Sequence, residues 1–130
     1  GRVHEAINLF EDVLTDQVRV LGNDHPDTLT ARHNLAYTYR VAGRVHEAIN
    51  LFEDVLTDQV RVLGNDHRGT LATQHNLAQV YRAAGQIDEA VSLFEDVLTI
   101  QLRVLGADHP LTLAAREALD LARRGQDAAP

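Results

Sequence analysis

The chain repeats itself. Residues Gly1–His25 recur without a change as Gly43–His67, an offset of 42 residues. The match resumes at His33-Asn34-Leu35-Ala36 against His75-Asn76-Leu77-Ala78. A third copy beginning at Gly85 keeps Leu93-Phe94-Glu95-Asp96-Val97-Leu98-Thr99 and Arg103-Val104-Leu105-Gly106. A fixed period of this kind marks an array in which each unit buries one face on the next. Whatever one period folds into, its neighbours fold into as well.

Each period holds two helical segments. In the first, Thr28, Leu35, Tyr39 and Ala42 recur at helical steps and make one stripe. Pro26 suits the first turn, where its missing N–H costs nothing, Asp24 stands close enough to help cap it, and Gly43 supplies the stop. In the second, Ala48, Ile49, Phe52, Val55, Leu56 and Val60 form a band wide enough for burial on two sides, and Gly64 ends it. Short connections make neighbouring helices antiparallel, and no segment alternates as a strand would. The expected fold is all-α, with helices over about 2–21, 27–42, 44–63, 69–84, 86–105 and 110–124. Residues 1–125 form one domain, with units starting at 1, 43 and 85, and residues 126–130 read as a polar, disordered tail.

Two departures from the period carry expectations. Arg68-Gly69 replaces Pro26-Asp27, so the helix that follows should fray at its start. The chain also opens on a second-type helix with no hairpin partner before it. That points to a fragment of a longer array, or to an array continued by another molecule, with apolar surface left for self-association.

Composition removes most other functions. The net charge is −7 with no compensating basic block, a surface that repels phosphate backbones and anionic lipid, so neither nucleic acid nor membrane is an expected partner. There is no cysteine, hence no disulfide and no thiolate, and an intracellular, cytoplasmic setting is the simplest reading. No apolar run is long enough to span a bilayer. His4-Glu5 lacks the second histidine that a zinc-binding helix needs, because Asn8 stands there, and metal-binding and cofactor roles are not expected. His25, His67 and His109 read as turn residues that satisfy backbone groups. The pairs Glu11-Asp12, Glu53-Asp54 and Glu95-Asp96 read as a solvated outer face copied with its helix rather than as an acid and a base, which need unlike environments. With no Gly-rich phosphate loop and Ser92 the only serine, no catalytic residue is expected.

Asn34-Leu35-Ala36, Tyr39, Gly43, Glu47-Ala48 and Phe52 resemble the tetratricopeptide repeat (TPR), and the turns Asp24-His25-Pro26 and Asp108-His109-Pro110 resemble its kinesin-light-chain type. The resemblance covers all but the last few residues, and it implies a right-handed superhelical solenoid. It departs in period: 42 residues against the usual 34, which lengthens each helix by roughly one turn of 3.6 residues. The resemblance further implies that the first helix of each pair lines a concave groove that receives extended or short helical peptides. At 100° per residue, Thr30, Asn34, Tyr37 and Val41 share a sector opposite the packing stripe, with His33 and Arg40 at its edge. The next period offers His75, Asn76, Gln79 and Arg82 in the same places. An Asn amide offers a donor and an acceptor to a peptide bond. Arg40 and Arg82, continued by Arg124, would make a cationic ladder for carboxylates. Against this stands the reading in which the asparagines link neighbouring helices and the arginines hold outer-face acids. Two alternatives to a peptide receptor stay open: a structural array stacked end to end, and the sensor segment of a larger signal-transduction ATPase, which this type of array also resembles.

Overall fold

The protein is described by a computed structural model that covers residues 1–128. Six helices follow one another: α1 (Arg2–Leu21), α2 (Pro26–Val41), α3 (Val45–Leu63), α4 (Arg68–Ala83), α5 (Ile87–Val104) and α6 (Pro110–Ala128). No strand occurs among the described residues. Each helix packs on the next. In addition α2 meets α4 and α4 meets α6, whereas α1, α3 and α5 stay apart from one another. The even-numbered helices therefore form the closer, inner layer and the odd-numbered ones the wider, outer layer of a helical solenoid.

Local chemistry sets the helix ends. Histidine caps all three inner helices: Nδ1 of His25, His67 and His109 accepts the backbone N–H of Asp27, Gly69 and Leu111 at 3.1, 2.9 and 3.1 Å. Nδ1 lies as many bonds from Cα as the side-chain oxygen of Asn, so it reaches the same orphan N–H. Asp24, expected to cap α2, does something else: its carboxylate takes Arg61 at 2.7 Å. At the other end of α2, Gly43 adopts φ +78° and the Arg44 N–H donates to the Tyr39 carbonyl at 2.9 Å. That bond closes a left-handed C-terminal cap which glycine adopts without a Cβ penalty.

The core depends on what covers each outer helix. α3 lies between α2 and α4, and Ala48, Phe52 and Val55 are wholly buried; Ala90, Phe94 and Val97 repeat this in α5. α1 carries the same residues but is covered by α2 alone, and its Phe10 and Val13 keep 43% and 44% of their surface. Polar links recur with the period. Glu11 accepts the Tyr39 hydroxyl at 2.6 Å, Glu53 accepts that of Tyr81, and Glu95 takes Arg123 at 3.1 Å. One member of each outer Glu-Asp pair thus ties two helices together, which the sequence reading assigned to solvent. Arg103 holds Asp66 at 2.6 Å, as Arg61 holds Asp24. One seam differs. Buried Arg32 donates to Asp58 at 2.7 Å and to the Asn23 carbonyl at 3.2 Å. One period on, Gln74 and Ile100 replace both members of that ion pair.

The expected tail needs correction. α6 runs through Gln126, Asp127 and Ala128, because Gln126 Nε2 donates to Asp88 Oδ1 at 2.8 Å and Gly125 rests near Ile87 of α5. Ala129 and Pro130 lie outside the described residues.

Candidate functional site

The inner layer carries every residue that the sequence placed in the groove. From α2, Asn34, Tyr37 and Val41 are exposed, and His33 and Arg40 are half-buried. From α4, Arg82 is exposed, and His75, Asn76 and Gln79 are half-buried. These side chains fall into two kinds, those that join the repeats and those that face outward.

His33 is a joint. Its ring stands edge-on to Phe52 with centroids 5.5 Å apart. Its Nδ1 lies 2.8 Å from the Thr73 hydroxyl and its Nε2 3.3 Å from the Asn76 amide nitrogen. Because Thr73 donates onward to the Gly69 carbonyl at 3.1 Å, its oxygen is free to accept. The network then closes with the proton on Nδ1 and Nε2 accepting from Asn76. Burial pushes the His33 pKa below its usual value, which agrees with a neutral ring. This joint occurs once, since Thr73 has Ala31 and Ala115 as its counterparts. His75 keeps the edge-on contact, with Phe94 at 5.6 Å, and approaches Gln79 at 3.5 Å. Burial again lowers its pKa, and the Arg40 charge lowers it further.

The two asparagines have different roles. Asn76 is engaged with His33, as the helix-linking reading expected, while the exposed Asn34 points its amide to no partner among the described residues. The arginines separate as clearly. Arg19, Arg32, Arg44, Arg61, Arg103 and Arg123 each hold a carboxylate. Among the described residues Arg40 and Arg82 hold none, and nor do Arg2, Arg68, Arg116 and Arg124; Arg40 lies 5.9 Å from the centre of the Tyr37 ring.

The sequence reading missed a concavity of about 580 Å³ between α4 and α6, beside the end of α5. His75 and Asn76 line it together with Arg68, Leu71, Val104 and Leu111. The signal lay in a departure from the period: Leu111 stands where Asp27 and Gly69 stand in the other repeats. Among the described residues no three His, Cys, Asp or Glu side chains come together as a metal site would require, and no helix is long and apolar enough to cross a membrane.

Paired helices in two layers, stacked at a fixed period with side chains offered along the inner one, define a helical-repeat scaffold. The Tetratricopeptide repeat family profile matches residues 1–59, 30–102 and 70–127, and the chain belongs to this family. No match is found among curated protein sequences. Among solved structures it is similar to the nearly identical TPR-like repeats of a Podosopora anserina protein named for kinesin light chain, at 40% identity and a TM-score of 0.91, over 98% of this chain and 60% of that one. A Q17M form of the same repeats matches equally. BtubC (BKLC) from P. vanneervenii shares the fold at a TM-score of 0.88 and 17% identity, over 98% of this chain and 51% of that one. The chain thus spans about 60% of the Podosopora anserina structure's length and about half of BtubC's. These neighbours support an array of the kinesin-light-chain-like type, a fold that serves in general as a scaffold for protein interaction.

Proposed function

We propose that the chain is a non-catalytic receptor whose inner groove takes an extended or short helical peptide segment of another protein, with acidic side chains in register with Arg40 and Arg82. One observation supports this reading: among the described residues these two inner-helix arginines hold no carboxylate, whereas Arg32, Arg61, Arg103 and Arg123 pair across the helix seams. Asn34 supplies a free amide beside them, and Tyr37, 46% exposed, a flat apolar surface. The contacts of His33 with Thr73 and Asn76 tie the two inner helices together beneath them. A cytoplasmic setting goes with this role, since a cysteine-free chain gains nothing from an oxidising compartment.

A peptide array probed with the chain, followed by fluorescence anisotropy on the selected sequences, tests it. Acidic peptides should be selected, and Arg40→Ala/Arg82→Ala should weaken binding by at least about tenfold, the low end for losing one charge-assisted contact. Asn34→Ala should weaken it less and leave the helix content unchanged. Selection of peptides without regard to charge, with affinity untouched by these substitutions, would dismiss the groove reading.

A further inference from the structure

Two grooves run along the outer layer, one between α1 and α3 over α2, the other between α3 and α5 over α4. They are copies one period apart, since Glu11, Tyr39 and Glu47 of the first correspond to Glu53, Tyr81 and Glu89 of the second. The first groove shows what this arrangement holds. Arg44 donates to both oxygens of Glu47 at 2.7 and 2.6 Å, and its guanidinium carbon lies 4.8 Å from the centre of the Tyr39 ring. Glu11 holds the Tyr39 hydroxyl at 2.6 Å. The guanidinium thus rests on an aromatic face while a carboxylate takes its N–H groups, two attractions that reinforce each other. Beneath it Tyr39 keeps only 8% of its surface in water.

The second groove keeps the receiving residues and changes the one they receive. Glu53 again accepts the Tyr81 hydroxyl, but Gln86, exposed and uncharged, stands where Arg44 stands. Tyr81 is accordingly half-buried rather than buried, and Glu89 holds no cation among the described residues. Burial raises the pKa of both tyrosines and the glutamates raise it further; at Tyr39 the Arg44 charge offsets part of this, and at Tyr81 no cation does. Asp88 replaces His46 and adds a carboxylate, of which Gln126 takes Oδ1 at 2.8 Å. The groove encloses about 570 Å³ over Leu56, Leu77 and Leu93, and no arginine lines it among the described residues. Its walls are α3, α4 and α5, each of which has a helix packed on either side. We propose that the groove between α3 and α5 receives an arginine side chain of a partner protein, its guanidinium over Tyr81 and paired with Glu89 as Arg44 is with Tyr39 and Glu47. Arginine fits where lysine does not, because only a planar guanidinium both stacks on a ring and offers a carboxylate two parallel N–H groups. Apolar residues beside that arginine would cover the leucine floor. Glu89 is exposed, so solvent screens the pair and a single arginine binds weakly.

Heteronuclear NMR of the whole chain, titrated with N-acetyl-arginine methylamide to millimolar concentrations, tests this proposal. Backbone signals around Tyr81 and Glu89 should shift and saturate, while those around Tyr39, where Arg44 already lies, should stay in place. The uncharged isostere N-acetyl-citrulline methylamide should cause no comparable shift. Glu89→Gln should weaken binding by about twofold to fivefold, the range for an exposed ion pair. Gln86→Arg should abolish the response and raise the urea midpoint, because the chain then supplies its own guanidinium. Arg40→Ala/Arg82→Ala should leave the titration unchanged, which separates this site from the inner groove. Circular dichroism verifies that each variant stays folded. If the arginine probe moves no signal near Tyr81, moves signals equally over the whole acidic surface, or binds Gln86→Arg as well as the parent, the proposal is overturned.

Discussion

Phe10 and Phe52 sit in identical local sequence and differ only in what lies over them. Phe52→Ala should cost about 3–5 kcal/mol, the range for emptying a well-packed aromatic site. Phe10→Ala should cost less than about half of that, since 43% of its surface is already in water. Urea unfolding of the two variants makes the comparison within one molecule. His33 and His75 set a pH dependence at the same scale. Burial lowers both pKa values from 6.5, so the unfolded chain binds protons that the folded one does not. Stability is intact above pH 6.5 and falls as the pH drops below it toward the folded values, with a slope of up to about 1.4 kcal/mol per pH unit for each histidine. Titration of Asp58, whose pKa Arg32 lowers first and Arg61 further, lies lower still, below the usual carboxylate range. Unfolding of His33→Gln/His75→Gln between pH 5 and 7 should show a flatter profile than the parent. The sequence could group the candidate groove residues because helical geometry places them on one side of each inner helix. It did not identify the His33 joint, which needs a hydroxyl at position 73 in the neighbouring repeat and an amide at position 76, and no pattern within a single helix contains that pair.

Elements were legible to the extent that the period wrote them. All six helices follow from the repeated stripes and glycines, because amphipathic segments of this length have few other ways to bury their apolar side. The end of α6 was not legible. Gln126 and Asp127 are polar and local composition argues for a tail, yet the helix continues because Asp88 and Ile87 of α5 give it something to lie on. The start of α4 invites a test of the opposite kind. His67 caps it as His25 caps α2, but Arg68 stands where Pro26 begins the first inner helix. Arg68→Pro should therefore stabilise the protein by about 0.4–1 kcal/mol, since the fixed φ restricts the unfolded chain at a position with no intrahelical N–H bond to lose. Slower amide exchange in the first turn of α4 should accompany the gain. A loss of stability there would mean that the arginine has a packing role in the concavity it lines.

At the scale of the molecule, every link between helices joins near neighbours, so stability is a sum over adjacent contacts. A second copy of Gly1–Ala42 inserted after Ala42 would keep to outer-to-inner seams already present, because the inserted outer helix matches α3 residue for residue, and only the new contact between two α2 helices would lack the Thr73 joint. The enlarged protein should fold, unfold at higher urea concentration, and show a denaturant slope larger by roughly a third, in proportion to the added surface. An unchanged slope would mean that the array has already lost cooperativity along its length. The Arg32–Asp58 pair adds a rule of inheritance to this picture. Its counterpart one period on is Gln74 with Ile100, so an inner helix recombined onto the wrong outer helix strands a buried guanidinium against an isoleucine. A break that separates hairpins keeps each matched pair together, whereas a break within one divides it. The heritable unit of such an array is then the hairpin, and the buried charge acts as the lock that keeps its two halves from being exchanged apart.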